Sequence, residues 1–351
     1  MYTISSILTI LCSAHIGSAL PSGYSRDICV QPGQSIQKAI DAAKPGTQIT
    51  VEPGTYAEQL TINKDGICLI GNGAILVPPA SPVTNTCAGL VGGTTNAGIC
   101  VEGTGIVFAG PFVQEHRIIT SVATPVKDVS ISGFTVQGFD GLNIAVIGAD
   151  SACIDGNTLI NGPSYGVLTH YSTSSSVTAN KVVSEDILRG IGICTNDTSP
   201  SQVRRNQVSG YGVGLCVQTT GGHYVNNQVN NACAGIFVDP GISAKVLRNN
   251  IGANNATCLS SFHFAAGIFL YGAQDTIVRR NTVHDQHASG QALGIAVFDA
   301  STLNPPVVAS NNIVRHNTLV NDDVDLFVNS AGTGNVIEQN SCDMSSPLCS
   351  Q

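Results

Sequence analysis

The sequence predicts an all-β solenoid, a parallel β-helix closed at one end by a short helix. Three observations carry this: an asparagine recurring between two apolar columns, a glycine-led strand in the same units, and no 3.6-residue periodicity inside them. The recurring position reads Phe134, Asn157, Asn180, Asn206, Asn227, Asn249, Asn281, Asn317 and Asn340. Three residues earlier stand Ile131, Ile154, Val177, Val203, Tyr224, Val246, Val278, Val314 and Ile337; two residues later stand Val136, Leu159, Val182, Val208, Val229, Ile251, Val283, Leu319 and Cys342. Such units cannot close a core singly, but stacked they bury one. The asparagine is expected at a tight bend in the left-handed conformation, its side chain laddering at roughly 4.8 Å per coil.

The second strand starts at Asn143, Gly166, Gly192, Gly214, Gly235, Gly267, Gly294 and Asp325, and alternates at period two. Its outward positions form two columns. One reads Ala145, Leu168, Cys194, Cys216, Phe237, Phe269, Ala296, Phe327; the other reads Ile147, His170, Asn196, Gln218, Asp239, Tyr271, Phe298, Asn329. A face this rich in aromatics suits stacking on sugar rings or gripping an apolar ligand, or burial under the loops that follow.

Composition narrows the class. Charged residues are 11% of the 351, against roughly 25% in soluble domains, and the net charge is −8. Disordered chains are charge-rich, so this composition excludes disorder. With no run of Lys or Arg, no nucleic-acid partner is expected. The apolar run Ile4 to Ala19 is too short to span a bilayer, and Gly17-Ser18-Ala19 offers a cleavage site. Residues 1–19 therefore read as a secretory signal, although no Lys or Arg precedes the run, and residues 20–351 read as one β-helix domain. A secreted monomer with no membrane span is expected.

Eleven cysteines remain after residue 19, a density that suits an oxidising compartment. Cys194 and Cys216 share an offset on consecutive coils, within disulfide reach. Proximity pairs Cys233 with Cys258, Cys87 with Cys100 and Cys342 with Cys349, which leaves Cys29 with Cys68 and Cys153 unpaired. Asn196 and Asn255 open N-glycosylation sequons.

At the amino-terminal end, Ile36, Ala39, Ile40 and Ala43 make an apolar helix face, and Pro45-Gly46 ends the helix. Ser35-Ile-Gln-Lys-Ala-Ile-Asp-Ala-Ala-Lys-Pro-Gly, followed by Thr47-Gln-Ile-Thr-Val-Glu-Pro-Gly-Thr-Tyr56, resembles the cap and first coil of pectin-lyase-like right-handed β-helices. The resemblance covers residues 28–342. It implies a right-handed helix plugged by the cap, with insertions walling a substrate groove over the glycine-led sheet. It does not fix the chemistry, because the superfamily holds lyases, hydrolases, esterases, epimerases and non-catalytic adhesins. The polygalacturonase blocks survive at most as Thr195-Asn196-Asp197 and Gly222-His223, without Arg-Ile-Lys. Of the epimerase Asp-Pro-His-Asp block only His284-Asp285 echoes. The arginine pairs Arg204-Arg205 and Arg279-Arg280 fall on the other strand, away from the groove.

Insertions lengthen the spans Asn249–Gly267, Asn281–Gly294 and Asn180–Gly192, with a smaller one at Ser301 to Ser310 on another corner. Long solenoid insertions are usually functional. The candidate catalytic residues are His284, Asp285 and His287, expected above Tyr271 and Phe298, with His170 and Asp239 on the sheet. Phe237, Phe269, Tyr271, Phe298, Phe327 and Gln218 are the candidate substrate-binding residues. Asp197, Asp239 and Asp299 on alternate coils would be about 9–10 Å apart, the upper edge of an inverting glycosidase pair. Asn321-Asp322-Asp323-Val324-Asp325 is a candidate calcium turn, and His284, Asp285 and His287 could ligate a metal instead of acting as acid and base; the sequence names no cofactor. Three functions follow: lyase, hydrolase or epimerase action on an extracellular polysaccharide, non-catalytic glycan binding at a surface, or cyclisation or isomerisation of a small apolar metabolite.

Overall fold

A computed structural model describes residues 27–185, 190–343 and 348–349; the expected leader at residues 1–19 lies outside the described residues. The chain winds into three sheets. The first has twelve strands, from Ile28–Val30 to Val336–Glu338, the second eleven, from Gly54–Ala57 to Ser341–Cys342, and the third ten, from Leu60–Ile62 to Val324–Asn329. One coil supplies Cys153–Asp155, Thr158–Ile160 and Tyr165–His170, one strand to each sheet. Coils pair in parallel without slippage, Ile154 on Val177, Leu159 on Val182 and Val167 on Ile193. The three inward columns are buried. The third-sheet glycines are required by this packing: a Cβ on Gly166 would collide with Val182, and one on Gly267 with Val283.

The asparagines form the expected ladder. Each Nδ2 from Asn157 to Asn317 donates to Oδ1 of the next rung, at 2.9–3.1 Å over seven steps. The same Oδ1 accepts the preceding rung's backbone N–H, as Asn227 does from Asn206 at 3.0 Å. Nδ2 also donates to a first-sheet carbonyl, Asn227 to Val203 O at 3.0 Å. The expectation for the bend is corrected in one respect. The left-handed residue is the one before each asparagine, namely Gly133, Gly156, Ala179, Arg205, Asn226, Arg248, Arg280, His316 and Gln339. Turning the chain there sends the asparagine side chain inward to its partners.

Cys87–Cys100, Cys194–Cys216, Cys233–Cys258 and Cys342–Cys349 are disulfides, and the second spans adjacent coils with its Cα atoms 4.4 Å apart. Cys29 and Cys68 are not bonded to each other; both are free. Cys29 aligns with Thr50, whose neighbour in the next coil is Ile70, while Cys68 aligns with Gln48. The two thiols are thus two coils apart and slipped by two residues, beyond disulfide reach. Cys153, left over by the sequence pairing, is not free.

Helix Ile36–Ala42 covers the first coil with Ile36 and Ile40 buried. Ser35 Oγ accepts Lys38 N–H at 3.2 Å, and Glu58 accepts the N–H groups of Ile36 and Gln37. Lys64 Nζ donates to the carbonyls of Ile40 and Ala43 at the other end. Both helix ends are therefore satisfied by the strands they cover.

Asn227→Ala removes four buried side-chain hydrogen bonds, so it should cost about 3 kcal/mol or more in denaturant unfolding. Asn226→Gly, at the left-handed position beside it, should change stability by less than about 1 kcal/mol.

Candidate active site

The stacking carries the last outward column of the third sheet across nine coils. It runs Glu102, Ile147, His170, Asn196, Gln218, Asp239, Tyr271, Phe298 and Asn329, from the register of the strands themselves and, at Gln218 and Asp239, from the positions just after them. Over its middle lies an insertion at residues 103–125, built on the antiparallel hairpin Val107–Phe108 and Ile119–Ser121. Two buried imidazoles fasten it. His170 Nε2 accepts the Ile119 N–H at 3.0 Å, and its Nδ1–H donates to Asn196 O at 3.1 Å. His116 meets Tyr165 Oη and the Asn196 side-chain amide, each at 3.1 Å, with its ring edge-on to His170 at 4.6 Å. Burial holds both rings neutral, and with the His170 ring beside it His116 falls to about 3. His170, a catalytic candidate from sequence, thus has both ring nitrogens committed to positioning this insertion.

The insertion and the sheet enclose an open cleft of about 300 Å³, lined in part by Glu115, His116, Asn196, Gln218, Asp239 and Leu303. Gln218 Nε2 donates to Glu115 Oε2 at 3.0 Å. Gln218 Oε1 and Asp239 Oδ1 are buried without a partner in the protein. Burial, and then the neighbouring Glu115 carboxylate, push Asp239 up to about 7. A carboxyl with this environment can exist as the acid near neutral pH while a second carboxylate stands beside it.

An aromatic floor continues from Asp239 along the helix axis. Phe237 stacks on Phe269 at 5.3 Å and on Tyr271 at 6.1 Å, Phe298 meets Phe269 edge-on at 5.4 Å, and Phe327 follows at 5.5 Å from Phe298. Phe264, from the long insertion after Asn249, packs over Phe237 and Phe269, and Thr302 bonds Tyr271 Oη at 2.6 Å. The insertions therefore cover part of the floor and leave the rest half-buried, with Phe327 exposed.

The histidine-rich loop is elsewhere. His284 ends a second-sheet strand and bonds Asp285 at 2.7 Å, while His287 bonds Asp323 and Asn254. Asp323 and Asn254 precede the third-sheet strands, whereas Tyr271 and Phe298 end them. The loop is thus at the opposite end of six-residue strands, roughly 17 Å away, and does not overhang Tyr271 and Phe298 as expected. Asp197 and Asp299 are also away from the cleft. Asp197 is buried at the inner turn, bonded by Thr169 and Ser172, and raised to about 6 by that burial. Burial opposes ionisation of Asp299, but bonds from Ser330, Ala331 and Ala309 outweigh it and lower its carboxyl.

At the candidate calcium turn the oxygens diverge. Asp322 accepts Gln286 N–H, Asp323 accepts the N–H groups of Ala288, Gly290 and Ala292, and Asn321 donates to Asp285. Both sequon amides are occupied, Asn196 by His116 and Asn255 by Asn231.

Glu115 and His116 were not singled out by the repeat. Their signal is a length anomaly: residues 103–129 separate the third-sheet strand Ala97–Glu102 from the next first-sheet strand, where residues 148–152 suffice one coil later.

A family model described as a right handed beta helix region matches residues 119–263. No curated protein sequence matches significantly. Among solved structures, a mutant DFA-IIIase from Arthrobacter chlorophenolicus A6 in complex with DFA-III is 14% identical, covering 95% of this chain and 85% of that one, with a TM-score of 0.56. The same enzyme without its lid, in complex with GF2, gives 13%, 90%, 94% and 0.52. Geobacillus virus E2 ORF18 is 10% identical over 90% of this chain, with a TM-score of 0.52; this chain spans 60% of its length. At these identities the likeness is one of fold.

Asp239 sets a stability test. Its raised carboxyl contributes stability that is complete below about 4 and is lost as pH rises through about 7. Asp239→Asn, neutral throughout, should raise the melting temperature by about 2–4 °C at pH ~8 and leave it unchanged near pH ~4. An equal shift at both pH values in differential scanning fluorimetry would contradict the assignment.

Proposed function

Taking the chain as a right-handed parallel β-helix, we propose that it is a secreted enzyme cleaving an extracellular glycan by paired-carboxyl hydrolysis. The observation that carries the reading is Asp239, raised to about 7 beside Glu115 in a cleft continuous with an aromatic floor. Asp239 as the acid protonates the glycosidic oxygen, and Glu115 activates water or attacks the anomeric carbon from the other side. Phe237, Phe269, Tyr271 and Phe298 stack the sugars on one side of the scissile bond. Gln218 and Asn196 offer polar contacts on the other. Further support comes from the DFA-IIIase fold likeness, that enzyme being seen with DFA-III. The four disulfides agree with export, and no helix among the described residues is long and apolar enough to cross a membrane.

The phenyl cluster, with Phe264 closing over Phe237 and Phe269, favours a second reading, isomerisation or cyclisation of a small apolar molecule. A glycan panel assayed for new reducing ends and for 4,5-unsaturated products separates the readings. Under the first, reducing ends appear without unsaturated products. Asp239→Asn and Glu115→Gln each lower kcat/KM by about 10²–10⁴, and activity declines as pH rises through about 7 because Asp239 loses its proton. His284→Ala/His287→Ala keeps the activity. Unsaturated products would indicate lyase chemistry, and glycan binding without any product would leave a binding protein. Loss of activity in the histidine variant alone would move the site to that loop.

A further inference from the structure

Seven of the fifteen Lys and Arg residues lie on one face of this acidic chain: Arg204, Arg205, Lys245, Arg248, Arg279, Arg280 and Arg315. They belong to the first sheet and to the bend that carries the asparagine ladder, not to the third-sheet cleft. The register fixes their arrangement. Arg279 pairs directly with Arg315, and Leu247 of the preceding coil pairs with Arg279. Arg248, Arg280 and His316 follow these positions in consecutive bends, so Lys or Arg stands once or twice in each of the three coils from Lys245 to Arg315, at roughly 4.8 Å along the axis, while the coil of Val225 and Asn226 has none.

Counter-charges stand at the two ends of the strip, Asp155 near Arg205 and Glu338 opposite Arg315. Among the described residues the ion pairs are His284–Asp285 and His287–Asp323, and neither involves an arginine. The Nε atoms of Arg279 and Arg315 are buried without a partner. Burial, then Arg280, Arg315 and Arg248 as like charges, lower the Arg279 guanidinium below its ordinary value. Carboxylates bound the strip, with Asp155 two coils before Arg204 and Glu338 paired to Arg315 at its end. Four mutually repelling guanidiniums persist at a cost that a polyanion would relieve.

We infer that this strip is a docking surface for a linear anionic polysaccharide, a hexuronan lying along the solenoid axis with its carboxylates facing the arginines. A hexuronan carries one carboxylate per sugar, a repeat of the same order as the coil rise, and planar guanidinium groups accept carboxylates bidentately. The two outward columns here carry one aromatic ring, His223, and no Phe, Tyr or Trp: one reads Gln202, His223, Lys245, Ile277, Ile313 and the other Arg204, Val225, Leu247, Arg279, Arg315. Bases would lack the run of successive aromatic platforms that single-stranded nucleic acid binding uses. The surface is independent of the cleft chemistry.

The test is binding of polygalacturonate, neutral dextran and a single-stranded oligonucleotide at about 50 and about 200 mM salt. The full chain should bind polygalacturonate, about tenfold or more weakly at the higher salt, and should not bind dextran at this surface. The variant Arg248→Asn/Arg280→Asn/Arg279→Gln/Arg315→Gln should lose about tenfold or more. Asparagine suits the two bends, since Asn226 holds that position one coil earlier, so the melting temperature should be retained. Asp239→Asn should bind polygalacturonate like the unmodified chain. No polygalacturonate binding by the unmodified chain, undiminished binding by the fourfold variant, or tighter binding of the oligonucleotide would overturn the inference.

Discussion

The asparagine ladder is the constraint on which the rest of the molecule depends. Each rung satisfies its own bend, the backbone of the coil before it and a carbonyl of the first sheet at once. A buried bend would otherwise strand its polar groups, and in a chain with 11% charged residues few other side chains could reach them. The left-handed residue before each rung makes this possible by turning the amide inward. Because that residue itself faces outward, it can be glycine, alanine, arginine or histidine without disturbing the ladder.

Fixing the coils in register turns the outer surface into columns, and the candidate cleft forms where a column is covered. The third-sheet column that ends in Phe298 and Asn329 is polar in its middle and aromatic toward the carboxyl-terminal coils. The insertion held by His116 and His170 covers the polar part, and Phe264 covers the aromatic part. Asp239 sits at the junction, partly desolvated and beside a second carboxylate, which gives one carboxyl an acid's character without a metal ligand set around it. Neutral imidazoles suit the positioning role, since a charged ring would be costly at that depth.

Much of this was legible in the sequence. The apolar columns, the cap helix, four disulfides and the floor of Phe237, Phe269, Tyr271, Phe298 and Phe327 follow from spacing, because stacking converts sequence offset into position. The left-handed residue was not legible, since Ala179, Arg205 and Gln339 share no chemistry; only their place before an asparagine unites them. Cys29 and Cys68 were paired by elimination, which ignores the two coils between them. The insertion carrying Glu115 and His116 lacks the repeat, so periodicity passes over it. His284 and His287 were misplaced because the offset from an asparagine says that a loop exists but not which end of the strand it borders. Asp197 and Asp299 stand one position beyond the column of Asp239, a one-residue difference that turns a side chain to the other face, and their burial and partners differ accordingly.

The ladder also separates contour length from pitch. Asn206 and Asn227 are 21 residues apart and Asn281 and Asn317 are 36 apart, yet both rungs close at 3.0 Å. The axial scale of the surface is therefore set by hydrogen-bond geometry alone, while the chain between rungs is free to lengthen. A lineage can lengthen or shorten the walls of its cleft, one loop at a time, without rescaling the spacing of the columns beneath them.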